Sequence, residues 1–281
     1  MFKYLKEFAK YIWPVLLYFS LTFIGSFISL FIIMFISFRD YFFNGLPGNF
    51  DLMNLIVGQP YYIISLGIAS LLGLFLIYFK YQKYMPYNPE LNSKNYISFF
   101  FYGMAINLFL SFGLSPFLSE EIIEESNASA AQLFVGHPAF VILVCAILVP
   151  IFEEFIFRYL FMRSKFPHLI KAKIKKVDLE TISNDGVCFF INALIQGVVF
   201  GLMHGSPFQT LYTSVMGIIF AYVNKKYGSI LPSILIHIGL NFFASLMTTI
   251  PNTTLLVLIM GGIGVILLCV NIIKNLRRDS K

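Results

Sequence analysis

The sequence predicts an all-α, polytopic membrane bundle of about eight transmembrane helices with both termini cytoplasmic, and three observations carry that prediction. Of the 281 residues, 58% are hydrophobic and only 12% are charged, with a mean hydropathy of +0.79, a composition foreign to water-soluble domains. Apolar runs close to the ~20 residues needed to cross hydrocarbon recur along nearly the whole length. The basic residues, finally, collect on one side of those runs.

The runs cover roughly 12–38, 60–79, 97–117, 134–162, 189–205, 208–223, 229–249 and 253–273. The first follows Lys3, Lys6 and Lys10 as a signal peptide would. It is longer than an h-region of about 7 to 15 residues and lacks a small-x-small cleavage site, so it is expected to stay as an anchor. With a cytoplasmic N-terminus, every Lys and Arg except Arg39 and Arg158 falls in a cytoplasmic segment. The opposite loop, with Glu120, Glu121, Glu124 and Glu125, has no basic residue, as the positive-inside rule expects. The fifth and sixth runs are short and are parted only by Gly205, Ser206 and Pro207, so a re-entrant hairpin is the alternative there. The segment 164–188 interleaves Lys, Asp178, Glu180 and Asp185 with Ile174, Val177, Leu179 and Ile182. It reads either as an amphipathic helix on the cytoplasmic face or as a solvated basic loop.

No polar stretch is long enough for a separate water-soluble domain, so the chain reads as one membrane domain. The net charge of +6 follows from this topology and does not call for nucleic acid as a partner. Cys145, Cys188 and Cys269 sit among apolar residues without the paired spacing of a zinc site or a disulfide framework, which makes them core residues. No internal repeat and no inverted pair of broken apolar segments is evident, which argues against a transporter.

Chemistry enters where polar residues occupy positions that lipid disfavours. In the fourth run Glu153, Glu154 and Arg158 interrupt an apolar helix after Pro150, and each charge near the bilayer centre costs about 2.5 to 3.5 kcal/mol. Glu154 and Arg158 stand at i and i+4 with the acid first, the favourable order for an ion pair on one helix face. Glu153 is rotated by roughly 100° from Glu154, so the two carboxylates are expected to serve different roles. Pro150 removes a helical hydrogen bond and should bend the helix beside them. In the fifth run Phe200 and His204 share a face beside a strip of Gly197, Gly201 and Gly205 that admits another helix closely. The seventh carries His237 and Asn241 one turn apart, with Gly239 between them. Counted from the cytoplasmic flank, Glu153 lies about 15 Å deep, His237 about 16 Å, and Asn241 and His204 about 22 Å, a common layer near mid-membrane. That depth for His204 assumes that the fifth helix enters near Phe189; entry at Asp185 pushes His204 toward the outer face.

These residues resemble the CPBP family of intramembrane proteases, the CAAX prenyl endopeptidase type II or Abi type, whose pattern is EExxxR, then FxxxH, then HxxxN or HxxxD. Glu153, Glu154 and Arg158, then Phe200 and His204, then His237 and Asn241 match it in order, each group in its own apolar run. On this resemblance, residues 134–245 are the CAAX protease-like core. Residues 1–133 are about three transmembrane helices without a recognised motif, and 246–281 the last transmembrane helix with a basic cytoplasmic tail.

The resemblance implies an endopeptidase that cleaves a membrane-embedded or membrane-associated polypeptide. Glu153 and His204 would activate a water, His237 and Asn241 would stabilise the oxyanion, and Glu154, Arg158 and Phe200 would give structural support. The residue chemistry is compatible with those roles, since a dry cavity strengthens both general-base work and hydrogen bonds to a developing oxyanion. No cofactor is expected under this mechanism. The competing one takes Glu153, His204 and His237 as ligands of a catalytic zinc with water in the fourth position, although no HExxH helix is present. A second function class uses the same scaffold without turnover, as a bacteriocin immunity or sensor-kinase-regulating partner. The Ile, Phe, Lys and Asn-rich composition points to a multi-pass protein of a bacterial plasma membrane.

Overall fold

The computed structural model describes residues 2–44, 60–81, 93–133, 135–178, 180 and 185–279. Its described residues form helices and turns with no strand, the all-α polytopic membrane fold that the hydropathy predicts. Helix α1 is Phe2–Asn44, α2 Tyr61–Tyr81, α3 Ser93–Leu108 and α4 Glu120–Leu133, the last formed by the acidic segment read above as a loop. Helix α5 begins at Pro138 and ends at Arg163. It passes from α (Pro138–Val141) to π (Ile142–Leu148), back to α (Val149–Glu154), then to π (Phe155–Leu160) and a 3₁₀ turn (Phe161–Arg163). The remaining helices are α6, Phe166–Lys175; α7, Gly186–Leu202; α8, Pro207–Tyr227; α9, Leu231–Thr249; and α10, Thr254–Asp279.

Among the described residues, six helical stretches are long and apolar enough to cross a membrane: Phe2–Ile36, Tyr61–Phe79, Tyr96–Leu114, Pro138–Lys175, Leu231–Thr249 and Thr254–Lys274. The fifth run is a helix of 17 residues, short of a full span. The sixth, α8, is diluted by Gln209, Thr210, Thr213, Ser214 and Asn224 and ends in Lys225 and Lys226. The large side chains left exposed, such as Phe23, Phe35, Leu255 and Ile266, form the apolar surface that suits contact with lipid and not with water. Of the segment 164–188, residues 166–175 are an amphipathic helix. Pro167, His168, Leu169 and Ala172 are buried while Ile174 and the lysines face out. Leu179 and Ile182 lie outside the described residues.

The chain divides into two compact units, one built from the described residues of 1–19 and 153–234, the other from those of 20–84, 92–152 and 235–281. In the first, α7 and α8 are an antiparallel pair in close contact. A Cβ on Gly201 would run into the Thr210 carbonyl and the Ser214 side chain, and one on Gly197 would meet the Ser214 carbonyl. The glycine strip therefore serves its own successor helix. The chain reverses through Gly205, whose φ of +83° favours glycine. Ser206 then caps α8 by accepting from the Gln209 N–H at 3.3 Å, with Pro207 in the first turn. In the second unit α3 packs against α9 and α10. Asn107 donates to the Leu240 carbonyl at 2.9 Å, and Gly239 and Gly264 sit where a Cβ would strike the carbonyls of Phe100 and Phe101.

Candidate active site

The first unit holds Glu153, Glu154, Arg158, Phe200 and His204; the second holds His237 and Asn241. In the first, the two adjacent glutamates take different partners. Arg158 Nε lies 3.2 Å from Glu154 Oε2 with both side chains fully buried, an ion pair by distance that lacks the alignment of a hydrogen bond. Glu153, 6% exposed, accepts a hydrogen bond from the Tyr18 hydroxyl at 3.1 Å. This unlike pairing follows from the rotation between neighbouring residues on a helix. The local geometry differs from a simple Pro150 kink, because Ile142–Leu148 and Phe155–Leu160 are wound as π-helix on either side of the acids. The Val149 N–H reaches back to the Val144 carbonyl, five residues away, which widens the turn next to the proline whose N–H is missing.

Phe200 links the buried ion pair to the histidine. The Arg158 guanidinium carbon stands 4.1 Å from the Phe200 ring centroid and 5.0 Å from that of Phe220, and Phe200 meets the His204 ring edge-on at 4.8 Å. The His204 ring is fixed at a second point, since Nδ1 lies 2.9 Å from the Phe200 carbonyl. A carbonyl only accepts, so Nδ1 carries the proton there, and in the neutral ring Nε2 is the acceptor.

His204 departs from its expected place in one respect. Helix α7 starts at Gly186, with Asp185 capping it by accepting from the Cys188 N–H at 2.9 Å, and not near Phe189. His204 lies two residues beyond the end of this helix, which at ~1.5 Å per residue is about 25 Å long. Counted from Gly186 instead of Phe189, His204 lies about 27 Å along the chain axis in place of about 22 Å. The capping aspartate sets the helix start where hydropathy alone suggested a later one.

In the second unit His237 is buried, and the Asn241 amide donates to the Cys145 carbonyl at 3.0 Å. That carbonyl belongs to the π-helical stretch of α5. An amide nitrogen carries two hydrogens, so this bond orients Asn241 and commits one of them.

Residues 135–243 match the family model described as type II CAAX prenyl endopeptidase Rce1-like. Over these residues the chain is similar to the type II CAAX prenyl endopeptidase family. No curated protein and no solved structure matches the chain. All seven motif residues fall within the matched segment.

Two polar residues beside the site escaped the sequence reading. Tyr18 lies outside the matched segment, in a helix assigned by hydropathy alone. The signal for it was the spacing of Tyr4, Tyr11 and Tyr18 at intervals of seven, which puts three phenols on one stripe of α1. Tyr11 hydrogen-bonds Asn192, and the Tyr4 ring lies 5.8 Å from Lys173 Nζ. Gln196 is fully buried one turn before Phe200 with no hydrogen-bond partner for its amide among the described residues. It was detectable as a polar side chain in an apolar run. As to metal, the described residues contain no group of three or more His, Cys, Asp and Glu side chains able to hold an ion. Of the zinc set read from the sequence, Glu153 and His204 lie in the first unit and His237 in the second.

Proposed function

We propose that the chain is an intramembrane endopeptidase that hydrolyses a membrane-associated polypeptide with a water activated by Glu153 and His204. The observation that carries this reading is the division of labour between neighbouring carboxylates. Arg158 pairs with Glu154, and Glu153 is oriented by the neutral Tyr18 hydroxyl, which positions a charge without quenching it. His204, with Nδ1 committed to the Phe200 carbonyl, presents Nε2 as acceptor.

In the proposed step Glu153 takes a proton from water as the water oxygen bonds to the scissile carbonyl carbon, with His204 Nε2 steering that proton. The carbonyl oxygen gains the negative charge, and the reading assigns His237 and the Asn241 amide as its donors. Collapse of the intermediate breaks the C–N bond, and the proton on Glu153 passes to the leaving nitrogen. Glu154, Arg158 and Phe200 hold the helix and the imidazole in place. We place the protein in a bacterial plasma membrane with its basic segments and both termini on the cytoplasmic face, on the strength of the charge asymmetry.

The test is turnover of a fluorogenic membrane peptide by the purified protein in liposomes. E153Q and H204A are expected to lose at least 10²-fold, the usual scale of a general base, and N241A about 10²- to 10³-fold, that of an oxyanion donor. If the four residues act on one peptide bond, E153Q/N241A is scarcely slower than E153Q. Full turnover by folded E153Q and H204A overturns the reading in favour of a non-enzymatic membrane partner. A strong zinc chelator is expected to leave turnover unchanged; loss restored by added zinc would replace this mechanism with the metal one.

A further inference from the structure

Within the first unit a cavity of about 610 Å³ is bounded by residues at the ends of α1, α5, α6, α7 and α8. Its charges are strongly one-sided. Lys10, Arg158, Arg163, Lys165 and Lys225 line it against the single carboxylate of Asp185. That carboxylate is itself paired with Lys171, while Lys10 and Arg158 are paired with Glu7 and Glu154. Lys165 lies beside Glu7, whose carboxylate accepts from its backbone N–H at 2.7 Å, and Lys225 forms none of these ion pairs. Lys225 Nζ is held 4.2 Å from the Phe189 ring centroid.

The lining residues also carry buried polar atoms without hydrogen-bond partners: both terminal guanidinium nitrogens of Arg158, Nδ1 of His168 and the amide nitrogen of Asn224. Arg158 is 4% exposed and His168 8%. Neither is a surface charge that solvent would satisfy at no cost. Water could satisfy the donors; an anion satisfies them and also balances the excess of cations over the single Asp185 carboxylate in the lining. Phosphate oxygens match the planar fork of a guanidinium and the point charge of a lysine. Met162, Phe189 and Ile230 supply an apolar wall beside the cations, and basic pockets among membrane helices are the usual setting for anionic headgroups.

We propose that this cavity binds a negatively charged phosphate group, carried by the headgroup of an anionic phospholipid or by a free phosphate compound. The site shares Arg158 with the brace of the proposed proteolytic site, but its binding is tested without proteolysis. Short-chain phosphatidylglycerol, the matching phosphatidylcholine and inorganic phosphate are titrated into the full-length protein in a neutral detergent, with binding read by thermophoresis.

Saturable binding of phosphatidylglycerol at one site is expected. K165Q/K225Q should weaken it by roughly thirtyfold, about fivefold for each lysine. K175Q/K226Q, an equal loss of charge at lysines that do not line the cavity, should change it less than threefold. Thermal unfolding checks that each variant is folded. Displacement of the lipid by inorganic phosphate identifies a free phosphate compound as the sufficient ligand, and failure to displace it identifies the lipid; both support the proposal. Absence of saturable binding by either anion overturns it. So does equal weakening by the two double variants, which would mean diffuse attraction, or binding of phosphatidylcholine as tight as that of phosphatidylglycerol.

Discussion

Replacing Arg158 by Met tests the buried ion pair directly. The side chains of Arg158 and Glu154 are both fully buried, with Nε and Oε2 3.2 Å apart. At an effective dielectric of about 20 the attraction is about 5 kcal/mol, but desolvating two ions costs several kcal/mol each, so the pair contributes little net stability. Removing one partner is different, because it strands the other charge in a dry interior at a cost of about 3 to 5 kcal/mol. R158M also forfeits the guanidinium contacts with Phe200 and Phe220, worth roughly 0.5 to 2 kcal/mol. The single variant is therefore expected to be destabilised by about 3.5 to 7 kcal/mol. E154L/R158M, which removes both charges, should recover most of that loss. Unfolding in mixed micelles, followed by circular dichroism, measures both. If R158M costs less than about 1 kcal/mol, or if the double variant is no more stable than R158M, the two residues are not a coupled buried pair and the bracing role fails. In the proteolytic reading the double variant folds but stays slow, since Phe200 and His204 lose the group that positions them.

Three further outcomes follow from the geometry. Y18F removes the hydroxyl that donates to Glu153; a hydrogen bond to a charged group is worth about 1.5 to 3 kcal/mol, so kcat should fall roughly 10- to 100-fold with KM nearly unchanged, and an unaltered kcat would remove Tyr18 from the site. G201A places a methyl against the Thr210 carbonyl and Ser214 and should destabilise α7 and α8 by about 1 to 3 kcal/mol, whereas G262A, with nothing within 4 Å of the new methyl, should not; equal melting temperatures would refute the close approach. The Lys171 ammonium, followed by the Cys188 N–H, holds the Asp185 carboxyl well below its ordinary value of 3.8. Its contribution is present above that value and is lost as pH falls through the lower folded one. The stability difference between the wild type and D185N should therefore be constant from pH 8 to 5 and shrink only in stronger acid; a difference that vanishes already between pH 7 and 5 would contradict the pairing.

What was legible in the sequence was what depends on near neighbours along the chain or on the solvent. Hydropathy gave the long helices, because ~20 apolar residues have few alternatives in a bilayer. The i, i+4 spacing of Glu154 and Arg158 gave their pairing, because helical rise and twist alone bring them together. The glycines at 197 and 201 announced a close helix contact. What was not legible depended on residues remote in sequence or on the exact start of an element. Tyr18 reaches Glu153 across 135 residues, and Asn241 reaches the Cys145 carbonyl across 96; no periodicity encodes such partners. The start of α7 at Gly186 is marked by the capping hydrogen bond of one aspartate, and its end at Leu202 leaves His204 two residues beyond it. The basic residues were read correctly as a membrane-side excess, but that five of them line one cavity with a single acid was decided only when α1, α5, α6, α7 and α8 packed together. Local geometry and solvent preference are written in short stretches of chain, whereas the meeting of distant side chains is settled by packing.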